Sequence, residues 1–228
     1  MRPSHSSHII SFQDAVQFLA GERSGTGEPV GALPHCIRPL TGAMQCCTHQ
    51  RSIAVVTVVT DSCASVPEPL VKELGIEVVH YHVHTVQGTY RDGLDMPADD
   101  FYAWVKTAPE WPTTANPSAG EYLEAYRRAS QQSDGIVAIS ITGTGSGGYQ
   151  SAMLAKRLLA QEMPGVPVEV IDTQQVAMAH GWSVIQAARA ALQGLSVAEV
   201  AAVGRKVAAE AFVGFTNDTL EYLQRGGR

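Results

Sequence analysis

Basic residues are scarce in this chain, and their scarcity limits the partners it can have. Lys and Arg together number 16 against 22 Asp and Glu, which gives a formal net charge of -6. A general nucleic-acid-binding protein needs a basic surface to neutralise phosphates, so we expect no nucleic acid as partner. The chain is also only 17% charged and 45% hydrophobic, a composition that predicts a packed globular core.

Cysteines are few and poorly spaced for cross-linking. The four are Cys36, Cys46, Cys47 and Cys63. The adjacent pair does not suit a disulfide framework, and no pair has the two-residue gap of a zinc knuckle. We therefore expect reduced thiols, as in a cytoplasmic protein.

Long apolar runs are also lacking. No segment reaches the roughly 18 apolar residues that a membrane span requires. The N-terminal segment has no apolar core of the kind found in signal peptides. We expect no membrane span and, again, a cytoplasmic location.

Prolines and glycines, among them Pro29, Gly31 and Pro34, interrupt residues 1–51. Frequent prolines and glycines predict a loose N-terminal extension with little regular structure. Met44 lies shortly before the first predicted strand, so Met1 and Met44 are both candidate start sites.

From Ile53 onward, strand-like and helix-like patterns alternate. The predicted strands are Ile53–Val59, Ile76–His84, Ile136–Ser140, Val168–Ile171 and Phe212–Phe215. The predicted helices are one from Ser65, where Glu68 completes a capping-box spacing, then Asp99–Lys106, Ser118–Ser130, Tyr149–Gln161, Val176–Leu192 and Val197–Ala211. Alternation of this kind indicates βαβ units and an α/β fold with a parallel sheet flanked by helices.

The ends of the predicted strands carry small polar residues. These segments are Thr60–Ser62, Thr142–Gly148 and Asp172–Thr173. In open α/β sheets, ligands bind beyond the carboxyl ends of the strands, so the three segments can meet in one crevice.

Six segments, in order along the chain, resemble motifs of the DegV family. They are Thr60–Pro67, Tyr90–Gly93, Pro112–Ser118, Ser146–Ala152, Val170–Thr173 with Met178–Gly181, and Thr219–Arg228. The resemblance implies an α/β domain over residues 52–173 and the start of a second, lipid-covering α/β domain over residues 174–228.

The same resemblance implies a carrier, without catalytic residues, cofactor or metal, that binds a long-chain fatty acid and presents it to a fatty acid kinase. By resemblance, Thr114 and Ser146 hold the carboxylate and Arg228 lies near the head group. Ser62 and Gly147, from the first and fourth motifs, complete the predicted lipid-binding set.

The chain departs from the family pattern at several positions. Ala115 stands where the family usually has Ser, Gly145 where it has Leu, and Gly148 where it has Thr. The family also continues for several dozen residues beyond the motif that ends at Arg228, so the second domain is expected to be truncated.

A nucleotide-binding enzyme is the main alternative. Gly143–Gly148 satisfies the pattern G-x-G-x-x-G between a predicted strand and a predicted helix, and Asp172 follows 24 residues later. This is the arrangement of a dinucleotide fingerprint. A helix N-terminus preceded by glycines favours any anion, however, including a carboxylate.

Other polar side chains have structural and functional interpretations. His80, His82 and His84 alternate, which predicts either a solvent-facing edge strand or a zinc site. Asp61 and Asp172 are expected to accept structural hydrogen bonds from neighbouring loops rather than to act in acid–base catalysis. Thr144 stands where the G-x-S-x-G elbow of a serine hydrolase needs a glycine before Ser146, and nothing in the sequence pairs His180 with a nucleophile.

Overall fold

The computed structural model describes residues 55–214 together with residues 216, 220 and 224. The predicted extension at residues 1–51, the candidate start Met44 and the candidate head-group residue Arg228 lie outside the described residues.

Seven strands and six α-helices make up the described part of the chain. The strands are β1 (Val56–Asp61), β2 (Glu77–Val79), β3 (His82–Thr85), β4 (Gly88–Arg91), β5 (Thr113–Ala115), β6 (Gly135–Ser140) and β7 (Val168–Asp172). The helices are α1 (Glu68–Glu73), α2 (Ala98–Val105), α3 (Ala119–Ser130), α4 (Gly148–Glu162), α5 (Ala177–Leu192) and α6 (Val197–Glu210).

Four strands form a parallel sheet in the order β2-β1-β6-β7. The central strands β1 and β6 consist mainly of β-branched and small apolar residues, and all six residues of β6 are buried. Such continuous apolar runs are typical of parallel strands that are covered on both faces. The predicted α/β class, with a parallel sheet flanked by helices, is confirmed.

Helices cover both faces of this sheet. On one face, Ile185 of α5 and Val200 of α6 join Ile139 of β6 in one apolar cluster. On the other, Tyr122 of α3 and Leu159 of α4 pack with the sheet in a second cluster. Each fully buried side chain of this size contributes about 1.5–3 kcal/mol to folding, so the two layers fix the sheet firmly.

Helices α5 and α6 follow residue 173, where the sequence predicts a second domain to begin. They nevertheless pack against β1, β6 and β7 of the parallel sheet. Residues 177–210 therefore share the core of the domain predicted to end at residue 173. The existence and limits of a second domain stay a prediction.

A second, antiparallel sheet has the order β4-β3-β5. The predicted single strand Ile76–His84 is wrong, because it is divided between β2 of the parallel sheet and β3 of this one. At the division, His80 Nδ1 lies 2.8 Å from Asp92 O, and Tyr81 N donates to Ser62 Oγ. At His80 and Tyr81, these hydrogen bonds involving side chains replace the backbone hydrogen bonds of a continuous strand. The chain can therefore pass from one sheet to the other.

Two further sequence predictions are corrected. Ser65 does not cap a helix: a short 3-10 helix (Ser62–Ala64) ends there, and α1 begins only after Pro67, whose fixed φ suits a helix start. Phe212 is 89% exposed and lies in irregular backbone, so the described residues 212–214 form no fifth strand, because no neighbouring strand pairs with them. Phe215 lies outside the described residues.

Candidate functional site

Two aspartates join the carboxyl ends of the parallel strands to the loops beside them. Asp61 accepts hydrogen bonds from Cys63 N at 3.1 Å and from Ile141 N at 3.0 Å. Asp172 accepts from Gly143 N at 3.1 Å and from Gln174 N at 2.9 Å. The predicted structural role of both carboxylates is confirmed.

A chain of hydrogen bonds connects the end of β1 to the glycine-rich loop. The backbone N–H of Tyr81 donates to Ser62 Oγ at 3.1 Å, and the Tyr81 hydroxyl lies 2.5 Å from Ser146 Oγ. Ser62 and Ser146, far apart in sequence, are thus linked through one tyrosine.

Strand β5 approaches the same loop from the antiparallel sheet. Thr114 pairs with Val83 of β3 and is exposed. Two residues later, Asn116 Nδ2 donates to Ser151 Oγ of α4 at 3.2 Å. Gly147 packs against this asparagine so closely that a Cβ atom at position 147 would lie 2.8 Å from Asn116 Oδ1.

The structure brings some of the five predicted site residues together and not others. Ser62 and Ser146 share a hydrogen-bonded chain, and Gly147 contacts the segment that follows Thr114. Thr114 itself lies on β5, and Arg228 is outside the described residues. The assignment of these residues to lipid binding stays a prediction.

Sequence reasoning missed Tyr81 and Asn116, which connect these groups. Tyr81 falls within a segment whose pattern predicts a single continuous strand. Asn116 lies inside the Pro112–Ser118 motif, but no local pattern indicates that its amide would bond to Ser151.

A buried polar layer lies beneath this edge of the sheet. Thr60, Asp61 and His180 are almost completely buried. His180 Nε2 lies 3.1 Å from Ile139 O and 3.2 Å from Thr60 Oγ1, while its Nδ1 lies 3.9 Å from Asp61 Oδ1. Burial lowers the pKa of His180 and raises the pKa of Asp61.

These contacts bear on the serine hydrolase interpretation. The Nε2 atom of His180 is directed to Ile139 O and Thr60, and Ser146 Oγ is hydrogen-bonded to the Tyr81 hydroxyl. The described contacts therefore contain no Ser–His hydrogen bond that would activate Ser146 as a nucleophile.

The glycines of the loop have structural explanations. A Cβ atom at Gly143 would lie 2.8 Å from Asp172 Oδ2, and one at Gly148 would lie 2.6 Å from the Tyr81 hydroxyl. Asp172, which a dinucleotide would need for its ribose, already accepts two backbone N–H groups. Packing within the protein thus accounts for glycine at both positions without a bound pyrophosphate.

The three alternating histidines do not share one strand. His80 lies at the division between the sheets, while His82 and His84 lie on β3, which is the central strand of its sheet and not an edge strand. His82 Nε2 lies 2.8 Å from Glu121 Oε1, and His84 Nδ1 lies 2.8 Å from Thr89 Oγ1. The predicted solvent-facing edge strand is therefore wrong.

Two cavities lie near this part of the fold. One of about 250 Å³ is formed at the end of β7 by Asp172–Gln175 and residues of α6, including Arg205. The other, of about 360 Å³, lies between β2 and α3. Neither is lined by Thr114 or Ser146.

A profile of the family described as "uncharacterised protein, DegV family" matches residues 55–228. The chain belongs to the DegV family. It is 32% identical over 173 residues to a DegV domain-containing protein of Caldanaerobacter subterraneus, covering 76% of this chain and 60% of that protein. A DegV domain-containing protein of Streptomyces coelicolor is 35% identical over 175 residues, with the same coverage.

Solved DegV structures share the fold. A DegV family protein from Thermus thermophilus, described by its fatty acid binding, is 37% identical, with a TM-score of 0.66 over 76% of this chain and 60% of that one. DegV of Bacillus subtilis, described as a fatty acid binding protein, is 26% identical, with a TM-score of 0.68 over 77% and 61%.

This chain thus spans about 60% of the length of the DegV relatives it matches. Within the described residues, no helix combines the length and apolar character needed to cross a membrane.

Proposed function

We propose that this DegV family chain binds a long-chain fatty acid non-covalently, with the carboxylate at the edge where β5 and the glycine-rich loop meet. The single observation that carries the proposal is that Tyr81 links Ser62 to Ser146 beside the loop that the segment after Thr114 contacts. Ser62, Tyr81 and Ser146 form one hydrogen-bonded chain, and the Thr114 strand contacts the same loop through Asn116. Fatty acid binding by the Thermus thermophilus and Bacillus subtilis relatives supports the ligand class.

The chemistry of a carboxylate suits this edge of the sheet. An ionised carboxylate accepts hydrogen bonds only, and hydroxyl groups can donate to it with charge assistance. The two aspartates nearby would repel such a ligand, but backbone N–H groups engage both oxygens of Asp61 and the Oδ1 atom of Asp172. The N-terminus of α4, which begins at Gly148, adds a favourable dipole.

Affinity would come mainly from the acyl chain. Burial of each CH₂ contributes about 0.8 kcal/mol, so about a dozen methylenes supply roughly 10 kcal/mol, more than any pair of head-group bonds. The head-group donors would therefore fix the orientation of the acid and its exposure to a partner.

In this proposal the protein is a carrier in the cytoplasm and not an enzyme. A fatty acid kinase would bring the nucleotide and perform the chemistry on the presented carboxylate. The nucleotide-binding alternative gains no support from the loop, because Asp172 and the glycines are occupied by internal contacts.

Direct binding tests the proposal. Delipidated protein should bind a fluorescent long-chain fatty acid saturably, and unlabelled palmitate should displace the probe more effectively than its methyl ester. Absence of saturable binding would contradict the proposal for this chain.

A further inference from the structure

Tyr81 occupies an unusual position between the two sheets. Its side chain is buried, with 8% of the residue exposed, although the residue lies between β2 and β3 rather than within either strand. Its backbone N–H is held by Ser62 Oγ at 3.1 Å, and its hydroxyl lies 2.5 Å from Ser146 Oγ. Both ends of the residue are thus fixed against the candidate head-group site.

The hydrogen bonds at Ser146 decide what its hydroxyl can offer to a ligand. A serine hydroxyl has one proton to donate and two lone pairs to accept. The backbone N–H of Gly148 donates to Ser146 Oγ at 3.4 Å. The phenol of Tyr81 is the more acidic partner in its bond to Ser146 Oγ and is therefore the better donor. When Tyr81 donates, both lone pairs are used and only the proton of Ser146 remains for a ligand.

We propose that Tyr81 is a positioning residue that makes Ser146 an obligate hydrogen-bond donor, so that the site selects an ionised carboxylate over an ester. This inference rests on the proposed function, because Ser146 is its contact to the ligand. Donation from Tyr81 also polarises the Ser146 O–H bond, which strengthens its own donation. A charged acceptor gains more from this than a neutral ester carbonyl, since charge-assisted bonds are about twice as strong as neutral ones.

Gly148 provides the room that the Tyr81 hydroxyl needs. A Cβ atom at position 148 would lie 2.6 Å from the hydroxyl oxygen but 3.5 Å from Cζ, which is an ordinary contact. A side chain here would therefore collide with the hydroxyl and not with the ring.

The test compares the affinities of palmitate and methyl palmitate for the full chain and its variants. In Tyr81→Phe, the acid-to-ester affinity ratio should fall by about three- to tenfold, the loss expected for one hydrogen bond at 1.4 kcal/mol per decade. Tyr126→Phe is the matched control, because this buried tyrosine donates to Ala152 O instead. The acid-to-ester affinity ratio of Tyr126→Phe should equal that of the unsubstituted chain.

Gly148→Ala gives an independent route to the same result, should Tyr81→Phe fail to fold. The new methyl group should displace the Tyr81 hydroxyl and lower the ratio as Tyr81→Phe does, whereas the double variant should show no further fall. Saturable binding with an unchanged ratio in Tyr81→Phe or in Gly148→Ala would overturn the role of Tyr81 and leave the proposed function standing. Failure of the unsubstituted chain to bind palmitate would overturn both.

Discussion

Asp61 Oδ2 accepts a hydrogen bond from Ile141 N at 3.0 Å, which fastens the end of β1 to the first residue after β6. The two residues are 80 positions apart, and Asp61 is completely buried. A buried carboxylate usually costs stability, but this one satisfies two backbone donors that would otherwise lack a partner. It also holds the edge of the sheet at which the candidate head-group residues lie.

Replacement of Asp61 should therefore destabilise the fold. In Asp61→Ala, two N–H groups at this buried edge lose their acceptor, and we expect the free energy of unfolding to fall by about 2–4 kcal/mol. Asp172→Ala is the matched control, since Asp172 also accepts two backbone N–H groups but is partly exposed, so that water can replace it. Urea unfolding measures the free energy of unfolding of both variants. Equal decreases in the two variants would contradict this prediction.

The stability of the protein should depend on pH through His180. Burial lowers the pKa of His180 below 6.5 in the folded protein. Below about pH 6.5 the unfolded chain binds a proton that the folded protein does not, so the free energy of unfolding decreases as the pH falls. The raised pKa of Asp61 acts in the opposite direction, because the folded carboxyl takes up its proton at a higher pH than the unfolded one.

His180→Gln removes the contribution of His180 to the pH dependence and keeps the carboxyl group of Asp61. The decrease in Tm between about pH 7.5 and about pH 5.5 should therefore be smaller in the variant than in the unsubstituted protein. Thermal unfolding followed by circular dichroism at several pH values measures this. An equal or larger decrease in the variant would show that His180 does not contribute in this way.

The glycine-rich loop should not bind nucleotides. Gly143 packs closely against Asp172, and the carboxylate of Asp172 accepts hydrogen bonds from two backbone N–H groups. Calorimetric titration with NAD and with ATP should give no heat beyond dilution. Micromolar affinity for either one would restore the nucleotide-binding interpretation.

Thr114 and Ser146 should act together on the fatty acid. Each hydroxyl that donates to a carboxylate is worth roughly 1.5–3 kcal/mol, so Thr114→Ala or Ser146→Ala should weaken acid binding by about tenfold or more. The losses in the double variant should not add, because the head group is already free to move after the first. Methyl ester affinity should barely change. An acid-to-ester ratio that is constant across all four proteins would remove both residues from the site.

Much of the parallel sheet could be predicted from local pattern alone. The predicted strands Ile53–Val59 and Ile136–Ser140 overlap the observed buried strands β1 and β6, since burial on both faces demands an unbroken apolar run. The family motifs likewise pointed to residues at the strand ends.

The connections across the site could not be predicted in this way. The segment Ile76–His84 is predicted as one strand, because alternation shows which face a side chain occupies but not which sheet its backbone joins. The bond between Tyr81 and Ser146 spans 65 residues, and it depends on room left by Gly148. Such contacts are decided by tertiary packing, and no local periodicity encodes them.

Whether this chain carries a fatty acid can be determined by identifying the ligand that it has bound. Native mass spectrometry of the purified protein, followed by denaturing extraction of the ligand, should show a mass increase equal to one long-chain fatty acid that disappears on extraction. Recovery of a nucleotide, or of protein with no ligand that also fails to take up added palmitate, would contradict the account.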